Sequence, residues 1–467
     1  MIELLQTHNE DLPAIANCAG EGVIRYGQLI LRVAQAAEYL RSHAARGMIV
    51  HACTNTADSI VLYLACLEAG CPVLLLDSTA RDSLYRVIQS YRPEVVLLPP
   101  AVDAVPRAMS EHSFPGTDYR ISHLLSQESV QPHADLALLL TTSGSTGTPK
   151  LVRLTLRNVL SNARSIIAYL GLEPGERSIQ GLPMHYSYGL SLINSHLLCG
   201  GTVVLTPHSF ITPEFWSDFD RTRSTSFAGV PYMYDALNRV RFDPAAHPSL
   251  RTMTQAGGGL RRDLIASYEQ SAAAAGIRFF VMYGQTEATA RIAYVPPERL
   301  RQKVGSIGIP VPGGHMQMAP VEDFDSCELV YSGPNVMMGY AESAPDLARG
   351  DEMNGVLHTG DLVQCDAEGF FYIVGRLNRF AKLFGRRFSL SDIENELETT
   401  FRIRTAVIDD SQRLRIFVEE GGIIDLASLS GHVARSLRVP PKFISVDTIP
   451  TIPLTSTGKK DYRALSS

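Results

Sequence analysis

The segment LALLLTTSGSTGTPK, Leu136 to Lys150, joins an apolar run of buried-strand character to a loop of glycines and hydroxyl residues that ends in Pro-Lys. Glycines let a backbone approach a polyanion closely, hydroxyls and amide hydrogens donate to its oxygens, and Lys150 adds positive charge. The loop therefore reads as a phosphate cradle built from Thr142, Ser143, Gly144, Ser145, Thr146, Gly147 and Lys150. It is not the strand-GxxxxGK[ST]-helix loop, because the glycine spacing differs and Leu151 follows the lysine. A flexible Gly/Ser linker does not usually start at a core strand.

Upstream of the loop, apolar residues recur at helical spacing from Tyr26 to Leu40, and the short apolar runs Val73–Leu76 and Val95–Leu98 follow helical segments. This alternation predicts an α/β chain with a mainly parallel sheet. The stretch IVLYLACLEAGCPVLLL from Ile60 is interrupted by Glu68, Gly70 and Pro72, so it reads as a buried helix, a turn and a strand, not as a membrane span. Downstream, Gly369–Val374 alternates like a strand, and Gly375-Arg376-Leu377-Asn378-Arg379 breaks the pattern. Beyond the break come a helix near Ser391–Leu397, strands near Thr405–Ile408 and Leu414–Val418, and a helix near Leu426–Leu437. That set suits a small α+β domain. Two domains are expected, residues 1–377 and 378–467, with a hinge within Gly375–Arg379.

Bulk composition excludes several classes. A chain of 467 residues, 45% hydrophobic and 19% charged, is long enough for a large core. Its net charge of −6 and interspersed acids and bases argue against a nucleic-acid partner. The N-terminal MIELLQTHNEDL lacks the basic start and apolar stretch of an export signal, so a cytoplasmic protein with no membrane partner is expected. None of the seven cysteines forms a Cys-x-x-Cys pair, and Cys66 and Cys71 read as packed thiols.

Four further motifs follow in order: Gly257-Gly258-Gly259, YGQTEA (Tyr283–Ala288), HTGDL (His358–Leu362) with Gly375-Arg376, and PLTSTGKKDYRAL near the C-terminus. Together with the loop at Thr141–Lys150 they resemble the ordered signatures of the adenylate-forming superfamily, which includes acyl-CoA synthetases, nonribosomal peptide synthetase adenylation domains and luciferases. The resemblance implies a large multi-layer N-terminal domain with α/β subdomains and a small α+β C-terminal domain that rotates about a hinge at Asn378. It implies ATP and Mg²⁺, with Tyr283 against the adenine, Gln285 in the same motif, Thr286 on the α-phosphate, and Glu287 with Thr142 at the metal. It also implies Gly257 and Gly258 beside the nucleotide, Asp361 and Arg376 at the ribose, and Lys459 at the reacting centre, with Lys460 facing solvent. Departures from the family pattern are Leu151, where a glycine is usual, and Asn378, where Asp or Lys is usual.

The segment PMHYSYGL, Pro183–Leu190, matches the family's acid pocket, which gives His185, Tyr186, Gly189 and Gly259 as substrate-pocket candidates. Members that activate α-amino acids place an Asp where this chain has Tyr186. Burying an ammonium without a carboxylate costs several kcal/mol, on the order of what a useful affinity requires. A neutral acyl or aryl acid is therefore expected, with an amino-acid substrate as the alternative that Asp235 leaves open. His185 reads equally as a pocket residue or as a packed core histidine. No insertion follows the HTGD segment, which favours thioester formation over release of free adenylate. The expected acceptor is CoA or the phosphopantetheine of an acyl or peptidyl carrier protein, and Arg379, Lys382, Arg386 and Arg387 form a basic cluster that reads either as a docking site for it or as a solvated face.

Overall fold

The computed structural model describes residues 2–18, 22–44, 46–103, 108–124, 130–141, 150–322, 324, 326–377, 379–383, 386–410, 413–420, 425–455 and 460–465. Among them, two large mixed sheets form most of the chain as far as Ala341. The nine-stranded sheet has a parallel centre that includes Arg177–Gln180, Ser226–Gly229, Thr252–Gln255 and Arg278–Tyr283, and antiparallel strands at its edges. The eight-stranded sheet is centred on the parallel strands Ile49–Cys53, Val73–Asp77, Val95–Leu98 and Leu136–Thr141. Parallel neighbours need crossover connections, and helices supply them. The helix Ala57–Ala69 is one; Thr56 caps its start by accepting from the Ser59 amide, and Gly70 ends it in the left-handed conformation before Val73–Asp77 begins. Four consecutive strand residues, Val73 to Leu76, are buried, as expected where helices cover both sheet faces. The cysteines are free thiols, and among the described residues no helix is long and apolar enough to cross a membrane.

A third sheet is antiparallel and joins His315–Pro320, Cys327–Ser332, Val356–Cys365 and Phe371–Arg376. Here the sequence reading is corrected: the last strand does not stop at Val374 but runs through Gly375 to Arg376. The ladder pairs Leu362 with Gly375 and Asp361 with Arg376, and interstrand bonding overrides the local turn preference of a glycine. That register sets Arg376 directly across from Asp361.

Buried apolar clusters fall on either side of the segment between Tyr372 and Ala381. Beyond it lie the hairpin Phe380–Leu383 with Arg386–Ser389, the helix Leu390–Phe401, the three-stranded sheet Thr405–Asp410, Arg413–Glu419 and Ile444–Ile449, and the helix Leu426–Leu437. Leu390, Ile393 and Leu397, spaced by three and four residues, turn one face of their helix onto Val407, Ile416 and Val418.

The same helix carries a charged anchor. Glu394 is 5% exposed. Its Oε1 accepts from Arg379 Nη2 and the Val407 amide, both at 2.8 Å, and its Oε2 accepts from Lys460 Nζ and Tyr462 Oη, both at 3.0 Å. Lys460 also donates to Glu398 Oε1 at 2.8 Å. The solvent-facing Lys460 expected from sequence is thus replaced by an ion-paired one, because two carboxylates on one helix face outweigh the usual hydration of a terminal lysine. Arg379 likewise leaves the expected basic cluster, paired to Glu394 and stacked 3.6 Å over the Tyr462 ring. The side chains of Lys382, Arg386 and Arg387 lie outside the described residues.

Replacing Glu394 with alanine leaves Arg379 and Lys460 without a shared counter-charge. The expected loss is about 3–5 kcal/mol in urea unfolding, with Glu394→Gln losing less. A loss under about 1 kcal/mol would mean that the cluster behaves as a solvated surface pair.

Candidate active site

The strand Arg278–Tyr283 ends at Tyr283, and the third sheet brings Asp361 to it. Asp361 is 0% exposed. A carboxylate so buried needs donors, and three side chains provide them: Tyr283 Oη donates to Oδ2, Gln285 Nε2 donates to Oδ2 at 2.9 Å, and Arg376 reaches Oδ1 through Nε and Oδ2 through Nη2. Gln285 Nε2 also donates to the Thr359 carbonyl at 3.0 Å. Burial and the adjacent Asp361 carboxylate push the Tyr283 phenol well above its usual range, so it stays a protonated donor. Among the described residues Oδ1 receives a bond from Arg376 alone, which leaves it acceptor capacity.

The turn after Tyr283 is held from several sides. Gly284 lies so close to the following backbone that a Cβ there would stand 1.8 Å from the Ala290 carbonyl oxygen. Thr289 adopts φ 64° and ψ −57°, a conformation that costs a non-glycine residue about 1–3 kcal/mol. Its hydroxyl donates to the Asn335 carbonyl, while Asn335 Nδ2 donates to the carbonyls of Ala288 and Arg291. Asn162 Nδ2 donates to the Arg291 carbonyl as well. These bonds fix Thr286 and Glu287 at the half-exposed side of the turn.

Glu287 Oε1 accepts from Tyr340 Oη at 2.8 Å, and Lys150 Nζ stands 3.8 Å from the Tyr340 ring centroid and 3.2 Å from Glu342. Tyr340 therefore connects the last residue of the glycine-rich loop to the acidic residue of the YGQTEA turn. Sequence reasoning missed it, since a tyrosine in the short strand Gly339–Ala341 carries no motif; only the pairing of that strand with Leu151–Thr155 brings it there.

Around the acid segment, the Tyr186 ring contacts the Tyr188 ring edge-on, at 6.2 Å between centroids, and Tyr188 Oη is fixed on Thr254. Ser187 Oγ lies 3.5 Å from Thr286 Oγ1. Gly257, with φ +87°, leaves room for the Tyr186 hydroxyl, and the Gly258 carbonyl accepts from Gln255 at 2.8 Å. Open space surrounds the Cα of Gly259, and Gly189 packs against the Pro183 carbonyl. His185 Nε2 instead lies 4.0 Å from Asp77 Oδ2 with no hydrogen-bond partner among the described residues, and burial lowers its pKa. Asp235 lies 4.0 Å from Arg261, and burial raises its carboxyl.

The structure thus gathers Tyr283, Gln285, Asp361 and Arg376 into one cluster, Lys150 and Glu287 about Tyr340, and Tyr186, Gly257 and Thr286 along one wall. Thr142, Ser143, Gly144, Ser145, Thr146, Gly147, Asn378 and Lys459 lie outside the described residues.

A family model described as AMP-binding enzyme matches residues 5–341. A feruloyl-CoA synthase of Amycolatopsis sp is 33% identical over 281 residues, 56% of this chain and 54% of that enzyme, so the chain spans about half the length of that relative. A sulfoacetate–CoA ligase of Cupriavidus necator is 32% identical over 76% of this chain and 71% of its own length. Among solved structures, the o-succinylbenzoate CoA synthetase of Bacillus subtilis with its acyl-adenylate intermediate superposes with a TM-score of 0.78 at 21% identity, covering 98% of this chain and 96% of that one.

A Cβ at residue 257 would come within 2.5 Å of Tyr186 Oη and 3.0 Å of Val230 Cγ1. Gly257→Ala is expected to destabilise the chain by about 1–3 kcal/mol in a denaturant titration. Adding Tyr186→Phe should recover only the part due to the clash; full recovery would show that the left-handed backbone contributes nothing.

Proposed function

Because the chain belongs to the AMP-binding enzyme family, the adenylate-forming superfamily, we propose that it activates a carboxylic acid with ATP and transfers the acyl group to a thiol, that of CoA. The observation that carries this reading is the buried Asp361, held between Tyr283, Gln285 and Arg376 with acceptor capacity to spare. A nucleoside's vicinal hydroxyls are donors suited to such a carboxylate, and the Tyr283 ring beside it offers a face to a base. The CoA-forming names of two relatives support CoA as the acceptor; a carrier protein's pantetheine is the second acceptor to test.

In the first step a carboxylate oxygen attacks the α-phosphorus of ATP, and the bond to the bridging oxygen breaks so that pyrophosphate leaves with its electron pair. Thr142, Ser143, Gly144, Ser145, Thr146, Gly147 and Lys150 would hold the phosphates. Thr286 would donate to the α-phosphate, and Lys459 would place its ammonium between the two reacting groups, where negative charge gathers. One carboxylate beside phosphates fits a Mg²⁺ ion, which keeps water ligands and needs no cage of protein acids. Glu287, with Tyr340 fixing one of its oxygens, would hold that ion with Thr142, and the ion would neutralise phosphate charge. In the second step the thiolate attacks the acyl carbon and AMP departs. Residues 1–377 and 378–467 act as two domains in this scheme, turning about Asn378 so that the C-terminal part serves each step in turn.

Acid-dependent ATP–pyrophosphate exchange tests the first step. Lys459→Ala should lower exchange by about 100–1,000-fold while ATP still binds. Asp361→Asn should weaken AMP and ATP binding in calorimetry by about tenfold or more, the loss of charge-assisted bonds to the sugar. A folded, ATP-binding chain that gives no exchange with any acid would overturn the proposal. Thioester assays with CoA and with a phosphopantetheinylated carrier then separate the two acceptors.

A further inference from the structure

Two arginines among the described residues are almost fully buried and differ in what neutralises them. Arg153 is 0% exposed, pairs with Glu352, and donates to the carbonyls of Arg349, Gly350 and Met338. Arg291 is 2% exposed. Its guanidinium lies 4.1 Å from the centroid of the Tyr188 ring, its Nη1 makes a long 3.4 Å bond to the Ala290 carbonyl, and its Nε has no partner among the described residues. The nearby Tyr169 hydroxyl donates to Met282 Sδ at 2.9 Å. No carboxylate among the described residues comes within ion-pair distance of Arg291. A ring face attracts a cation without cancelling its charge, so Arg291 lacks the counter-ion that Arg153 has.

Its position gives this deficit a meaning. Arg291 closes the buried end of the clamped turn whose half-exposed end carries Thr286 and Glu287. It faces Tyr188, next to the Ser187 that approaches Thr286 and the Tyr186 that fills the space at Gly257. The Tyr188 ring under the guanidinium packs edge-on against the Tyr186 ring, at 6.2 Å between centroids, which ties Arg291 to the acid-pocket wall. The reacting carboxylate must meet the phosphates at the Thr286 end. A group at the far end of the same acid would lie toward Arg291.

Building on the adenylation reading above, we propose that the acid this chain activates bears a second anionic oxygen group, a carboxylate or sulfonate, which serves as the counter-ion of Arg291. This departs from the neutral acid expected from sequence. Arg291 then selects the substrate without taking part in the bond changes. An acid lacking the second group leaves a desolvated cation unpaired, and such mispairing discriminates more strongly than a lost methylene does.

The test uses the full chain and pairs of acids that share a skeleton: butyrate with succinate and with 3-sulfopropionate, hexanoate with adipate, and phenylacetate with homophthalate. Each is measured by ATP–pyrophosphate exchange and by calorimetric binding to wild type, Arg291→Gln and Arg291→Lys. The expected result is a preference for the dianionic member of at least one pair by about a hundredfold in kcat/KM, kept in part by Arg291→Lys and lost in Arg291→Gln. Equal or better exchange with monoanionic acids overturns the inference and leaves adenylation standing, as does a Gln variant that lowers both members of a pair equally. Arg291-dependent binding of a dianion without exchange would retain the inference and sink the adenylation reading; no response to any acid overturns both. The wild-type panel decides even where the variants do not fold.

Discussion

The structure turns on one desolvated carboxylate. Asp361 sits at 0% exposure, where an unpaired negative charge would cost several kcal/mol or drive the group to neutrality. Its donors come from separate elements: Tyr283 and Gln285 from the end of the nine-stranded sheet, and Arg376 from the neighbouring strand of the antiparallel sheet. The requirement to satisfy it therefore ties two sheets together and fixes the edge of the site. A slip of one residue in the ladder between Val356–Cys365 and Phe371–Arg376 would move Arg376 to the opposite face, since side chains alternate along a strand. The geometry of the Asp361 cluster and the sheet register are one constraint.

Most of the layered fold is legible in the sequence because it depends on local apolar periodicity. Val95–Leu98 is read with its boundaries, and Leu136–Thr141 and Leu426–Leu437 are read to within a residue. What is not legible depends on partners distant in the chain. Gly375 looks like a strand terminator until its ladder with Leu362 is known, and Lys460 looks hydrated until Glu394 and Glu398 are seen on the facing helix. Tyr340 shows the same limit within the site, since its bond to Glu287 spans fifty-three positions and no spacing rule reaches that far.

The anchor at Glu394 gives the C-terminal residues a corresponding logic. One carboxylate takes Arg379, which follows the expected hinge position, and Lys460, which follows the expected catalytic lysine. Two points of the chain about eighty residues apart are thereby fastened to one helix. If the C-terminal residues turn as a body, the segment next to Lys459 turns with the segment next to Asn378, and the network transmits the rotation without bending. An ordinary hydrophobic contact would give adhesion there but less definition of register, which directional bonds to both carboxylate oxygens supply.

The buried charges of this chain differ in how they are balanced. At Asp361 and Glu394 the protein places a buried anion and surrounds it with donors from its own side chains, so the ligand-free chain is already balanced. At Arg291 the buried charge is positive, and among the described residues the protein supplies a ring face and a carbonyl but no anion. Retaining that imbalance beside a turn strained at Thr289 weakens the free chain. A substrate that brings the missing charge would bind more tightly than its contact area suggests, because it relieves a penalty that the fold already carries.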